Sequence, residues 1–273
     1  MRRRAIGVSV ALVLLCVLAG CDQGGNRKIL DGNRSPGEYM IIAVTDPDPD
    51  VRREAVGRVA RSRKADEEWA VDGFITIALL DSDTQARCVA VRGLEEGRDP
   101  RSIDALLKLL NHRNYKPEEV KPPAAVLRAD ASLALARLCE SGMIVESQRE
   151  PLAATFLNRL SSDEDRHVRI ASARGLANFP GDETLRGLIA GLRDTDFAVV
   201  HRCEESLVRL TGVSHHCVAA EWERWYEENK GEPFVRAGQV PDSRKPPYSN
   251  KLGESWYKTK RFWRTIFPPQ KGE

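Results

Sequence analysis

The sequence predicts an all-α protein: an α-solenoid of about five helical hairpins, closed by a C-terminal helix and followed by a largely irregular basic tail. Two observations support this fold class. Small and large apolar residues recur at helical spacing in five stretches, and an aspartate-bearing turn precedes most of them. Ala, Leu, Arg and Glu dominate, and no run of alternating β-branched residues lies between Asn-Gly or Asp-Gly turns.

The amino terminus has the pattern of an export signal. Three arginines at residues 2–4 precede an apolar run over residues 5–20, which is short for a membrane span. The run ends in Leu-Ala-Gly-Cys at residues 18–21, and this tetrad resembles the bacterial lipobox. The resemblance implies that residues 1–20 are a signal peptide and that Cys21 is acylated, for example with palmitate, and becomes the mature first residue. An uncleaved signal anchor with an unmodified Cys21 is the alternative.

The residues after Cys21 predict the address and a tether. Asp22 resembles the inner-membrane retention signal of enteric bacteria. Residues 21–36 are rich in Gly, Asn and Ser without a hydrophobic period, which predicts a flexible segment. The expected location is the periplasmic or extracytoplasmic face of a bacterial membrane, reached by export and held by a lipid anchor.

Five predicted helices in residues 37–212 share one pattern of inward positions. The first and ninth positions of the pattern are apolar, and the fifth is small, so that a neighbouring helix can approach closely. The five sets are Val51, Ala55 and Val59; Ala86, Ala90 and Leu94; Leu127, Ala131 and Leu135; Val168, Ser172 and Leu176; and Val199, Cys203 and Leu207. Because no set can bury its apolar stripe alone, the array is expected to fold as one unit.

An arginine follows the first position in four of the five copies, and the fifth has Val200 instead. The four are Arg52, Arg87, Arg128 and Arg169. With the preceding aspartates they form a D-x-D-x-x-V-R-x-x-A pattern, which resembles HEAT repeats, in particular the short HEAT-like type of phycobilisome lyases. The resemblance covers roughly residues 39–212. It implies an α-solenoid in which each arginine reaches an aspartate of an adjacent turn, with Val200 in a terminal repeat that has no neighbour.

A second apolar helix is expected after most copies. These partner helices are predicted at residues 75–80, 103–110, 152–160 and 185–192. Residues 162–193 are interpreted as one hairpin, in which an acidic turn caps the first helix and Pro180-Gly181 ends it. The third copy has no acidic turn and follows Pro122-Pro123, which predicts an irregular insertion at residues 111–123.

The carboxyl-terminal residues predict a cap and a tail. In residues 213–232, Trp222, Trp225 and Tyr226 lie at i, i+3 and i+4 of a predicted capping helix. Residues 233–273 are basic and proline-rich. From residue 234 onward there are 9 Lys or Arg and 3 Asp or Glu, a net charge of +6. An aromatic and cationic block there includes Trp256, Tyr257, Arg261, Phe262 and Trp263. Folding back on the repeats, lying on an anionic membrane and gripping a partner all remain open for this block.

Few residues have a metal-binding pattern. The candidates are His215, His216 and Cys217. They are weak candidates, because adjacent residues seldom point at one ion and no C-x-x-C or H-x-x-x-H accompanies them. The aspartates at residues 46–50 are predicted to cap a helix, since a calcium loop would need Gly and Glu at positions that hold Val51 and Gly57. Disulfide pairing is left open for Cys88, Cys139, Cys203 and Cys217.

One row of arginines is a candidate binding surface. It consists of Arg61, Arg92, Arg137, Arg174 and Arg209, which follow the first inward position by six or ten residues. A cationic strip of this kind would hold an acidic protein segment or an anionic envelope polymer. The alternative is that these are ordinary solvated arginines of helix surfaces.

The sequence therefore predicts a lipid-anchored, non-catalytic scaffold of the bacterial cell envelope that binds a protein partner. No cofactor and no small-molecule substrate are predicted, and export argues against nucleic acid. A net charge of +2 selects no partner by itself. The alternative function is an enzyme or metal-binding protein, either lyase-like by analogy of fold or built on residues 215–217.

Overall fold

The described part of the chain is all-helical. The computed structural model describes residues 30, 34–111, 124–241, 255, 258 and 259. Residues 34–111 and 124–241 contain eleven helices and no strand. The helices are α1 (Pro36–Thr45), α2 (Pro49–Ala60), α3 (Glu68–Leu80), α4 (Thr84–Gly97), α5 (Arg101–Leu110), α6 (Ala125–Glu140), α7 (Glu146–Ser162), α8 (Arg166–Leu176), α9 (Asp182–Gly191), α10 (Phe197–Thr211) and α11 (Ala219–Asn229).

The paired aspartates start four of these helices. The second aspartate of each turn is the N-cap residue, and its carboxylate accepts a hydrogen bond from an amide of the first turn. These N-caps are Asp48, Asp83, Asp165 and Asp196. The first aspartate of the turn accepts the amide of the second, as Asp81 does from Asp83 at 2.7 Å. The predicted capping role of residues 46–50 is confirmed, because Asp48 caps α2 and Pro49 occupies its first turn.

Helix α1 has no counterpart among the predicted helices. It begins at Pro36, the last residue of the predicted tether, and Leu30 is buried. Ser35 and Glu38 form a capping box, in which the Ser35 hydroxyl accepts the Glu38 amide and the Glu38 carboxylate accepts the Ser35 amide at 2.7 Å. The Ser-Pro-x-Glu sequence at residues 35–38 is therefore the start of this helix.

The helices form two rows. Helices α2, α4, α6, α8 and α10 pack in succession in one row, and the odd-numbered helices α1, α3, α5, α7, α9 and α11 do so in the other. Between the rows, the closest pairs are α1 with α2, α3 with α4, α5 with α6, α7 with α8 and α9 with α10. The predicted hairpin of residues 162–193 corresponds to α8 and α9, but α8 packs far more extensively on α7. Each V-R helix thus pairs with the helix before it. The arrangement is compatible with an α-solenoid.

The five small residues at the fifth position of the repeated pattern occupy equivalent places in the structure. Their side chains have no solvent exposure: Ala55, Ala90, Ala131, Ser172 and Cys203. All of them except Ser172 belong to a single apolar cluster that extends from Leu30 to Tyr226. Ser172 satisfies its hydroxyl through Ser132 of the neighbouring helix, with the two oxygens 3.3 Å apart.

Two phenylalanines insert between the rows at matching positions. The ring of Phe74 in α3 lies over Gly93 of α4, and the ring of Phe156 in α7 lies over Gly175 of α8. A Cβ at either glycine would lie 2.8 Å or 2.5 Å, respectively, from the nearest ring atom, closer than carbon atoms pack. Glycine is therefore required by the close approach of the ring in both copies.

The chain returns to α10 after α11. Trp222 of α11 has no solvent exposure and Tyr226 is buried. Farther on, the amide of Gly238 donates to the carbonyl of Arg209 at 2.9 Å. Gly212, which has a φ of 71°, lies against the carbonyl of Arg236, and a Cβ there would overlap that oxygen. Residues 233–241 thus pack against the end of α10.

The four cysteines in the described residues are free thiols. Burial raises the pKa of Cys88 to about 11 and those of Cys139 and Cys203 to about 12. Cys217 is partly exposed. None of the helices of the described ranges is long and apolar enough to cross a membrane.

Candidate binding surface

Arginines and aspartates connect successive helices of the even-numbered row. Arg52 donates from Nε and Nη2 to the two carboxylate oxygens of Asp81, both at 2.8 Å. Arg128 makes the same paired contact with Asp163, at 3.2 and 3.0 Å, and Arg169 makes it with Asp194, at 2.7 and 3.1 Å. We call these three pairs the Arg–Asp ladder. The contact with an aspartate of an adjacent turn, expected of these arginines, is confirmed for Arg52, Arg128 and Arg169.

Two of the three ladder arginines, Arg52 and Arg169, also bind the turn that precedes their own helix. The Nη1 of Arg52 donates to the carbonyls of Asp46 and Pro47, and that of Arg169 donates to those of Asp163 and Glu164. The guanidinium therefore joins two consecutive turns with four or more hydrogen bonds. Its planar set of donors suits this role, which a lysine would not fill.

The ladder carboxylates are ionised well below neutral pH. Burial raises the pKa of Asp81, Asp163 and Asp194. Hydrogen bonds from the ladder arginine and from the turn amide together lower the pKa by more than burial raises it, so each pKa lies below its ordinary value. The hydrogen bond to Asp81 likewise raises the pKa of Arg52, and that to Asp194 raises the pKa of Arg169.

Two copies of the pattern add no pair to the ladder within the described residues. The Nε of Arg87 donates to the carbonyl of Ala78 at 2.8 Å, and residues 112–123, which precede the next V-R helix, lie outside the described residues. Val200 lies in α10, the last helix of the even-numbered row, and its side chain is buried. That a terminal repeat accounts for the missing arginine stays a prediction. Because α10 is followed by residues 212–218, which contain no acidic side chain, an arginine at position 200 would have no ladder partner there.

The predicted strip of five arginines lies along the even-numbered row, but four of its members meet carboxylates or an amide of neighbouring helices. Arg92 donates to Asp130 at 3.0 Å, Arg137 to Glu95 at 2.8 Å, and Arg174 to both oxygens of Glu140 at 2.8 and 2.6 Å. Arg209 donates to the side-chain oxygen of Asn178 at 3.0 Å and lies 3.7 Å from Glu140. The strip is therefore a surface of mixed charge, and partner binding by it stays a prediction.

Arg61, the fifth member, lines a groove between the carboxyl-terminal ends of α2 and α4. The groove has a volume of about 680 Å³ and also contains Arg63, Arg92 and Arg98. Among the described residues, Arg61, Arg63 and Arg98 form no ion pair and are exposed. We call this feature the arginine groove. Sequence reasoning missed Arg63 and Arg98 because they lie in loops, outside the helical register.

Arg98 has an unusual backbone conformation. It ends α4 with a φ of 49° and a ψ of 35°, in the left-handed region where glycine or asparagine is usual. For a residue other than glycine, this backbone conformation costs on the order of 1 kcal/mol. The preceding Gly97 allows the 61–67 loop to approach, since a Cβ there would lie 2.9 Å from the Ala65 carbonyl oxygen. The loop and the end of α4 thus hold each other in place.

A buried carboxylate joins α10 to α11. Glu204 is 1% exposed and accepts the Ser214 hydroxyl at 2.6 Å and the Trp222 indole N–H at 2.5 Å. The same indole N–H lies 2.9 Å from the carbonyl of His216. Sequence reasoning did not single out Glu204, although a glutamate one residue after the buried Cys203 faces the core side of α10. This arrangement fixes α11 on the last long helix.

The weak metal candidates lie in the α10–α11 loop, and two of them, His215 and Cys217, take part in packing. His215 contacts Trp222 edge to face, with ring centroids 5.0 Å apart, and His216 has a φ of 54° with an exposed side chain. Cys217 packs against the apolar cluster. The described residues contain no group of three or more His, Cys, Asp or Glu that could hold a metal ion.

Several predicted residues lie outside the described residues. They are the acylation site Cys21 with Asp22, and the tail residues Trp256, Tyr257, Arg261, Phe262 and Trp263.

Comparisons with known proteins identify no relative. A scan against protein-family models gives no match, and a search of the curated proteins finds no similar sequence.

Proposed function

We propose that the chain is a HEAT-like α-solenoid with a C-terminal capping helix, and that it serves as a lipid-anchored, non-catalytic scaffold of the bacterial cell envelope. The Arg–Asp ladder is the observation that supports the repeat architecture best, because it recurs in the register of the D-x-D-x-x-V-R-x-x-A pattern. Export and the lipid anchor depend on the lipobox-like residues 18–21.

The binding role is supported by the arginine groove on the surface of the even-numbered row. Three exposed arginines that form no ion pair among the described residues are available to an external anionic group. The groove lies at the end of the solenoid that follows the tether. A partner held there would sit close to the membrane to which Cys21 anchors the chain.

The enzymatic alternative receives no support from the residues that suggested it. His215 and Cys217 pack against Trp222 and the core. The scaffold proposal makes use of the exposed surface, whereas the metal proposal would require these side chains to leave their packing contacts.

Chemical crosslinking in the native membrane, followed by mass spectrometry, tests the scaffold proposal. We expect the full chain to fractionate with membranes and to crosslink to one abundant envelope protein through residues of the even-numbered row. A Cys21→Ser variant should leave the membrane fraction and lose most of these crosslinks. Retention of Cys21→Ser on the membrane would contradict the lipid anchor, and a full chain without any protein crosslink would contradict the scaffold role.

A further inference from the structure

The arginine groove combines charge, shape and a fixed frame. Its floor contains small or apolar residues of α2, of the 61–67 loop and of α4, including Ala60, Ala65 and Val89. Its volume of about 680 Å³ falls within the roughly 300–1,000 Å³ that is usual for ligand sites. The groove is therefore large enough for a few residues of a bound chain.

The guanidiniums stand around this floor. Arg61 caps α2, and its Nη1 lies 3.4 Å from the place that a Cβ of Gly57 would take, so the guanidinium folds back over the helix towards α4. Arg63 extends from the loop, and Arg98 from the left-handed end of α4. Arg92 is 64% exposed, although it also holds Asp130. Four arginines from three elements thus line one concavity.

Two carboxylates lie among the arginines of the groove and interrupt its positive charge. Asp66 and Glu96 also line the groove, and neither forms an ion pair among the described residues. A ligand with an unbroken run of phosphates would meet these carboxylates and be repelled. A segment in which acidic residues alternate with apolar or neutral ones can place its carboxylates on the arginines and its other side chains on the apolar floor.

We propose that the arginine groove binds an acidic peptide segment of a partner protein, with Arg61, Arg63 and Arg98 as the residues that receive its carboxylates. This inference rests on the proposed scaffold function and names the chemistry of the partner. Arginines at helix C-termini also interact favourably with the helix dipole, so the test must measure binding and stability separately.

The test uses the full chain in neutral-detergent micelles and a fluorescein-labelled ten-residue peptide of glutamate, leucine and serine. Its matched control has glutamine in place of glutamate. The groove variant is Arg61→Gln, Arg63→Gln and Arg98→Asn, where asparagine accepts the left-handed backbone. The matched protein control is Arg53→Gln, Arg166→Gln and Arg224→Gln, which removes the same charge from side chains 38%, 53% and 65% exposed elsewhere.

We expect fluorescence anisotropy to report binding of the glutamate peptide only, weakening with salt and by about tenfold or more in the groove variant. The control variant should bind as the wild type does, and the urea midpoints of both variants should stay close to that of the wild type. Equal binding by the groove variant and the wild type, or no binding of the glutamate peptide to either, would overturn the proposal.

Two further arms separate this proposal from other sources of anions and from the scaffold role. Inorganic polyphosphate and vesicles containing phosphatidylglycerol should bind no differently to the wild type and the groove variant. If they bind through these arginines while the peptide does not, the groove recognises phosphate and the proposal is wrong. If the peptide requires the arginines but no protein crosslinks to the full chain in the membrane, the scaffold function fails and the peptide site remains.

Discussion

Single residues of the Arg–Asp ladder perform two tasks, closing a turn and joining it to the next helix. The carboxylate of Asp194 accepts both Arg169 and the amide of Asp196, and the two ladder side chains are 15% and 12% exposed. Since the contact is bidentate and largely shielded from water, it contributes more than an exposed ion pair.

We expect Asp194→Asn to lower the free energy of unfolding at pH 7 by about 1.5–3 kcal/mol, because buried hydrogen bonds to a charged group are lost. The pKa of Asp194 lies below its ordinary value, so its contribution is complete above the unfolded pKa of about 3.9 and is lost as the pH falls through the folded pKa. The difference between wild type and variant should therefore shrink between about pH 5 and pH 3.

Urea denaturation followed by circular dichroism at several pH values measures this difference. Glu221→Gln is the control, since Glu221 pairs with Arg224 on an exposed surface and its loss should cost about 0–1 kcal/mol. A wild-type advantage over Asp194→Asn that stays constant down to pH 3 would contradict the role of the ionised carboxylate.

The ladder could be read from the sequence because both partners belong to a short recurring pattern. Arg52 and Asp81 hold fixed places in successive copies, so a resemblance to HEAT repeats brings them together without any knowledge of the packing. The carboxylates that meet Arg137 and Arg174 could not be read in the same way. Glu95 and Glu140 come from the preceding copy, and only the rotation of one helix against the next decides which side chains touch.

At the scale of helices, the contact between the two rows depends on glycines that admit aromatic rings. Phe74 and Phe156 each precede an acidic turn by seven residues, and each lies over the glycine seven residues after the first inward position. The period of the apolar positions predicted the helices well, but it did not show this pairing. In the sequence, a glycine inside a helix does not by itself indicate that an aromatic ring packs against it, and only the structure shows this contact.

We expect Gly175→Ala to destabilise the protein by about 1–3 kcal/mol, because its Cβ would overlap the ring of Phe156 and force the helices apart. Gly37→Ala is the matched control, since Gly37 is also helical and a Cβ there would meet nothing within 4 Å. Alanine should leave stability unchanged or raise it slightly at that position, through helix propensity.

Thermal unfolding of both variants provides the comparison. A Gly175→Ala protein as stable as Gly37→Ala would show that α7 and α8 can separate without cost, and the close ring contact would then have no energetic importance.

In the described residues, one apolar cluster runs from the first helix to the last. Such continuity predicts that the repeats unfold together rather than one by one. Cys88, Cys139 and Cys203 report on three different helices of the even-numbered row, and each is at most 5% exposed. Their raised pKa values and burial together suppress reaction in the folded state.

We expect these three thiols to become reactive at the same urea concentration, within experimental error. Pulsed alkylation with iodoacetamide along a urea titration, read by peptide-resolved mass spectrometry, measures each thiol separately. Cys217 serves as an internal reference, because it is partly exposed and should react before unfolding. Labelling of Cys88 at clearly lower urea than Cys203 would mean that the two ends unfold independently.

At this scale the sequence predicted the helical content and the five buried small positions, and it missed α1, the arginine groove and the Glu204 contact. The predicted features repeat, so several weak signals reinforce one another. The missed ones occur once each: a capping box at Ser35, a left-handed arginine at position 98 and a buried carboxylate at position 204. A feature that occurs once cannot be recognised by comparison with other copies of the repeat.

The segment that folds back beyond α11 has a consequence for neighbouring molecules. In the proposed solenoid, the last helix would otherwise present an open apolar edge on which the first helix of a second copy could continue the stack. Residues 233–241 occupy that place, and Gly212 lets the backbone of Arg236 come close enough to close it. In that arrangement the returning segment would hinder head-to-tail stacking of copies into filaments, and we expect a residue with a side chain at position 212 to weaken this block.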